Sequence, residues 1–274
     1  STRYWLLLEQ ASQAEKTRNW GRARQLYAQA LPLEPQSPFA RIGLADSASA
    51  LGQEAEAWRQ YKQALRLFPQ EAAVQRAVSR FLEHLPLEKA LSLMKELPTE
   101  RYPVLAPLQT RLTVRSLQLR AEQATEQQRW ADVEAALLQA QQLDPDDPWI
   151  SYGLARAMRE QGRGDQGLHA FSTHLDRHRG APSSHYAHGL LLAAVGQNKE
   201  ALDTLALVPR AGWDERMTHL EIRLLDAQTI RRARAYRESG QGAAAVALLE
   251  RRPDSIDARL QEARWSQEDG DYPK

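Results

Sequence analysis

The chain has 274 residues, 26% of them charged and 42% hydrophobic, and its formal net charge is +1. That balance excludes the strongly basic composition of a nucleic-acid binder, and with no cysteine the chain forms no disulfide, no Cys-ligated zinc site and no thiol nucleophile. The longest apolar runs, such as Leu190 to Val195, are about six residues, against the roughly 18 of a membrane-spanning helix.

The chain opens as STRYWLLLEQ, already inside a helical pattern, and stops at DGDYPK. Both ends read as cuts, so the expectation is a segment of a longer protein. From Ala23 a pattern of small residue, aromatic, small residue and proline runs Ala23, Tyr27, Ala30, Pro35. It returns as Ala57, Tyr61, Ala64, Pro69, shifted by 34 residues at all four positions. That period belongs to the tetratricopeptide repeat, two antiparallel helices per unit. The small residues let helices approach closely, the aromatic fills the wedge between them, and proline ends the second helix.

The third unit departs from the pattern. KALSLMKELP runs eight residues from Ala90 to Pro98, where a full unit takes twelve, so its second helix is cut short. Roughly 108–128 then carries no breaker, which predicts one long helix. Residues 128–155, QRWADVEAALLQAQQLDPDDPWISYGLA, next repeat the phrase of residues 18–45, RNWGRARQLYAQALPLEPQSPFARIGLA. The packing positions continue through Ala140, Pro145, Phe171 and Ala201 to a second short unit, EALDTLALVP, ending at Pro209. Another long helix is predicted over roughly 214–239. Taken at the first small position, the series is Ala23, Ala57, Ala90, Val133, Gly167, Ala201, Ala244, with steps of 34, 33, 43, 34, 34 and 43. A block of three repeats is therefore written twice.

The helix boundaries carry their own chemistry. Ser37-Pro38 and Asp147-Pro148 each place an N-cap oxygen before a proline at the first helical position. Gly52, Gly162, Gly196 and Gly240 stand where the chain turns between helices and would take positive φ. The expectation is an all-α, right-handed tetratricopeptide solenoid of about seven repeats. Its blocks are 1–98, then 99–209 beginning with a long helix, then 210–274 with a long helix, one repeat and part of the next. Hinges are expected near 99–107 and 210–214.

On such a stack the first helices line a concave face. Counting from the packing alanines puts Trp5, Phe39 and Trp149 at the second position of three first helices, and Tyr152 and Tyr186 at the fifth. Trp149, Tyr152, Arg156 and Arg159 then form one stripe, suited to stacking on sugar rings or gripping a peptide. At helical spacing the alternative is that these aromatics pack between neighbouring helices. Trp20, Trp58 and Trp130 read as packing residues. Arg231, Arg232, Arg234 and Arg237 read as a solvated helix face rather than an anion site. His174 and His178, four apart, and His185 and His188, three apart, could bring two imidazoles to one metal. However, HLDRH lacks the glutamate of a zinc-protease helix, and His174 falls at a packing position, so they read as packed or exposed histidines. No phosphate loop or nucleophile elbow occurs, and no carboxylate pair stands out, so neither an enzyme nor a cofactor is expected.

The order of TRYWLLLEQA, DPWISYGLA, YAHGLLLAAVGQ, LVPRAGWDE and AYRESGQGAAAVALLERRP resembles the tetratricopeptide region of the bacterial cellulose synthase operon protein C family. PRAGW, Pro209 to Trp213, is the most specific of these stretches. The resemblance implies a periplasmic scaffold whose whole protein ends in an outer-membrane β-barrel through which cellulose leaves the cell. It implies partners among the proteins of the cellulose synthase and secretion complex, with cellulose or peptidoglycan as further contacts and no membrane-embedded part in this segment. Two other readings stand beside it: a scaffold of an alginate or poly-N-acetylglucosamine exporter, and a cytosolic peptide-binding adaptor. The near-neutral charge counts against alginate. The absence of a lysine and asparagine clamp at Leu8, Ser12, Ile42 and Asp46 counts against the adaptor.

Overall fold

The computed structural model describes residues 1–270 and contains, among the described residues, fifteen α-helices and no strand. They follow one another as α1 Thr2–Lys16, α2 Trp20–Ala30, α3 Phe39–Ala50, α4 Glu54–Leu67, α5 Ala72–His84, α6 Leu87–Met94, α7 Ala106–Glu126 and α8 Trp130–Leu143. Then come α9 Pro148–Glu160, α10 Gly164–Arg177, α11 Pro182–Ala194, α12 Asn198–Ala206, α13 Glu215–Glu238, α14 Gly242–Glu250 and α15 Ile256–Glu268. The two long helices, α7 with 21 residues and α13 with 24, stand where the breaker-free stretches predict them. The chain divides into two compact units, Ser1–Ser116 and Leu117–Lys274, with the division inside α7.

Within each unit a helix packs mainly on its neighbours in sequence and on the next helix but one. Ala23, Ala30, Ala57, Ala64, Ala140 and Ala201 are fully buried, and Tyr27, Tyr61 and Phe171 are buried beside them. Pro35, Pro69 and Pro145 each lie two residues beyond the last helical residue, after Leu33, Leu67 and Leu143. Lacking an N–H, proline cannot continue the ladder there.

The turns inside the helix pairs are built alike. Arg18, Gly52, Gln128, Gly162, Gly196 and Gly240 all have φ between +55° and +82°. In each case the next residue's N–H reaches back to the carbonyl five residues earlier, as from Asn19 to Ala14 and from Arg129 to Ala124, both 2.8 to 2.9 Å. This is the Schellman closure of a helix end, and it demands a left-handed residue. Arg18 and Gln128, equivalent positions of the two blocks, fill that place without glycine. The left-handed region costs an ordinary residue about 1–2 kcal/mol, while glycine loses about 0.5–1 kcal/mol more backbone entropy on folding. Gln128→Gly should therefore stabilise the protein by roughly 0.5 kcal/mol, and Gly162→Ala should destabilise it by about 1 kcal/mol. Urea unfolding of the two variants measures both.

Two expectations need correction. The small packing position of the seventh pair is Ala245, not Ala244: Ala245 is fully buried, Ala244 is exposed, and the last step lengthens by one. At each true equivalent the N–H bonds the carbonyl four residues back, at the helix N-cap, and Ala245 does so to Gln241 at 3.0 Å. Ser37 does not cap α3. Its hydroxyl accepts from the Tyr4 hydroxyl at 2.6 Å, tying the two helices together. Asp147 does cap α9, accepting from the Trp149 N–H at 2.8 Å.

In unit 1 the wedge tyrosines meet acids. The Tyr61 hydroxyl donates to Asp46, and Tyr27 is hydrogen-bonded to Glu15. Burial pushes both carboxyls above their ordinary range, against the downward pull of the tyrosine hydrogen bonds. In unit 2 the PRAGW stretch forms a pinned turn. The Arg210 guanidinium lies 3.8 Å from the centre of the Trp213 ring and forks onto Glu221, while the indole N–H donates to the Val208 carbonyl at 2.9 Å.

Candidate functional site

The sequence-derived candidates fall in both units. In unit 1, Trp5 is 59% exposed and meets Tyr4 edge-on at 5.2 Å, and Phe39 is 47% exposed at the start of α3. The remaining candidates lie in unit 2, on α9 and α11.

There the structure gathers three of them. Trp149 heads α9, held by the Asp147 cap, and Tyr152 follows one turn later. The two rings meet edge to face at 5.7 Å and 72°. From α11, Tyr186 approaches Trp149 at 5.9 Å and 71°. From α13, the Arg216 guanidinium lies 5.4 Å from the Tyr186 ring, held by its fork onto Asp214. Edge-to-face pairs fix ring orientation, and Trp149 still keeps 37% of its surface open. The result is a partly exposed aromatic cluster with one cation at its margin. It offers flat apolar surface and a hydrogen-bond donor.

The arginines of the predicted stripe do not join it. Arg156 sits over the Trp130 ring at 5.6 Å, and Arg159 forks onto Glu160 at 2.6 and 3.2 Å. Arg216 takes part instead. It lies about sixty residues along the chain from Tyr152, and helical spacing within one repeat could not find it. Of the other tryptophans, Trp58 is buried and stacked on Phe81 at 6.1 Å, and Trp20 and Trp130 are half-buried.

The histidines form a separate buried layer. His174 holds Ser151 through Nδ1 at 3.3 Å and Ser184 through Nε2 at 3.1 Å. His185 Nε2 donates to the Arg179 carbonyl at 2.7 Å, which leaves its Nδ1 as acceptor in the neutral ring. The Thr204 hydroxyl then donates to His185 Nδ1 at 3.2 Å and accepts from His188 Nδ1 at 3.1 Å. Burial holds His174 and His188 below the ordinary histidine pKa, reinforced by His178 and His185 respectively. Among the described residues no group of three histidine, aspartate or glutamate side chains is placed to hold a metal, and no helix is long and apolar enough to cross a membrane.

Helix pairs with this period, these packing residues and these turns define a tetratricopeptide-repeat protein, and residues 124–191 match the tetratricopeptide repeat family model. The chain is 30% identical to cellulose synthase operon protein C of Escherichia coli K12 over 270 residues, 98% of its length. It is also 30% identical to cellulose synthase operon protein C of Xanthomonas axonopodis pv. citri over 266 residues, 95% of its length. The similarity to cellulose synthase operon protein C thus runs along nearly the whole chain. The chain spans 23% of the first relative and 17% of the second. Among solved structures, the P58(IPK) TPR domain aligns with 94% of this chain and 76% of its own, at 14% identity and a TM-score of 0.34.

Proposed function

We propose that this segment is a non-catalytic scaffold of a bacterial cellulose synthesis and secretion assembly, standing in the periplasm between the inner-membrane synthase and an outer-membrane export barrel. The observation that carries this reading is the similarity along 98% of the chain to cellulose synthase operon protein C. The architecture fits the role. Stacked helix pairs present long first-helix faces on which a protein partner can dock without any moving catalytic part.

The aromatic cluster of Trp149, Tyr152 and Tyr186 supports a second contact, with the glucan itself. A β-linked glucosyl ring has apolar axial faces that stack on indole or phenol rings. Rings already fixed edge to face lose little freedom on binding. Tryptophan fluorescence titrated with cellohexaose tests the contact. The parent should show saturable quenching, and Trp149→Ala should lose it. A flat titration at millimolar sugar would sink the glucan contact. The scaffold reading would then stand or fall on whether synthase components co-purify with the tagged full-length protein from cellulose-producing cells.

A further inference from the structure

A second surface lies in unit 2, where α13 and α15 flank an open groove of about 440 Å³. Arg223, Ala227, Ile230, Arg231 and Arg234 enter it from α13, at the spacing of one helix face. Asp257, Leu260, Gln261 and Arg264 enter it from α15 at intervals of three and four. Four guanidinium groups thus share the groove with one carboxylate.

Some arginines of the chain are spent on its own carboxylates. Arg59, Arg111, Arg163, Arg210 and Arg252 each hold a carboxylate of this protein. Arg223, Arg231 and Arg264 have no hydrogen bond or ion pair among the described residues. Arg234 spends its fork on the neutral Gln261 oxygen at 2.6 and 3.2 Å, which holds its charge in the groove without cancelling it. Like charges gathered on one face repel, and among the residues lining the groove only Asp257 stands against them. Between the charges lie Ile230 and Leu260, the latter 52% exposed. Guanidinium forks match carboxylates two bonds at a time, and an apolar strip between them fits one aliphatic or aromatic side chain.

We propose that the α13–α15 groove binds an acidic peptide segment of a partner protein, one that carries several Asp or Glu side chains around an apolar residue. The carboxylates pair with Arg223, Arg231 and Arg264, and the apolar side chain lies on Ile230 and Leu260. A polyanionic sugar or nucleic acid would satisfy the charges and leave the apolar strip unused. A nucleic acid would also follow a longer basic track than this near-neutral chain provides. The inference is independent of the cellulose reading, since it needs only the groove.

Fluorescence anisotropy of the whole chain with a labelled eight-residue Asp/Glu-rich peptide containing one leucine tests it. The expected result is saturable binding that weakens about tenfold or more for the Asn/Gln version of the peptide and for the Arg231→Glu, Arg264→Glu double variant. Leu260→Asp should weaken binding similarly. Arg259→Glu, an exposed change on the same helix outside the groove, should leave it unchanged, and circular dichroism confirms that all variants fold. The proposal is overturned if the peptide does not bind, if Arg259→Glu weakens it as much as the groove variants do, or if only polyuronate or DNA binds.

Discussion

Phe171→Ala should lower the stability of unit 2 by about 3–5 kcal/mol, the usual loss when a fully buried aromatic is truncated. Phe171 has no exposed surface and packs with Ala155, Ala187 and Leu191. The His188 ring lies parallel to it at 5.7 Å, and His174 meets it at 5.3 Å. The substitution should also change the response to acid. His174 and His188 stay neutral in the fold, while in the unfolded chain they take a proton near the ordinary value of 6.5. Their contribution is fully present above that value and is lost as pH falls from it towards their lowered folded values. Once the gap beside His188 is open to water, burial no longer holds its pKa down as far, and the acid-dependent loss becomes shallower. Urea unfolding at pH 7.5 and 5.5, for parent and variant, measures both effects. A loss below about 1.5 kcal/mol, or an unaltered acid response, would mean that Phe171 is not the packed centre of this layer. Unit 1 carries the opposite sign through Glu15 and Asp46. Their raised carboxyls favour the fold below the ordinary carboxylate values and lose that contribution as pH rises through their folded ones.

Gly167→Ala should destabilise the same unit by about 1–3 kcal/mol, although alanine is the better helix former and holds the equivalent place in five of the other pairs. A methyl group at Gly167 would stand 2.6 Å from the Ala155 carbonyl oxygen and 3.0 Å from its Cα. These are backbone atoms of α9, so relief requires α9 and α10 to move apart. Gly164, three residues earlier on α10, is the control. A methyl group there meets nothing closer than the Arg159 side chain at 3.5 Å. Gly164→Ala should therefore be neutral or stabilise by about 0.5–1 kcal/mol through lost unfolded-state entropy. If thermal and urea unfolding showed the two variants alike, the close approach of α9 and α10 would be wrong.

The repeat register was legible because each packing residue answers a steric demand that recurs with the period. Alanine marks a close approach, the aromatic a wedge, and proline a stop. Legibility failed where composition offered equivalent choices. In GAAAVALLE, three consecutive alanines all suit the small position, and only the left-handed Gly240 and the N-cap Gln241 fix the register at Ala245. Ser37 shows another limit. A serine before proline has the chemistry of a cap, but a buried tyrosine hydroxyl from α1 competes for the same oxygen and takes it. The candidate surfaces were legible in part. Trp149, Tyr152 and Tyr186 come together as their helix positions allow, because short stiff rings stay near their own backbone. Arg156 and Arg159 turn aside, because long side chains reach for Trp130 and Glu160. The arginine groove was not legible, since its two walls lie about thirty residues apart and each reads alone as a solvated helix face.

In both units the packing of each helix is confined to near neighbours along the chain. Heat or denaturant therefore meets a row of coupled segments rather than one block. Each segment's persistence depends on its own pair and on those beside it. An injury such as Phe171→Ala is felt over a finite length of chain, while pairs farther away keep their own thresholds. For such a molecule the melting temperature is a property of a position along the chain, and a single value for the whole would average over unlike segments.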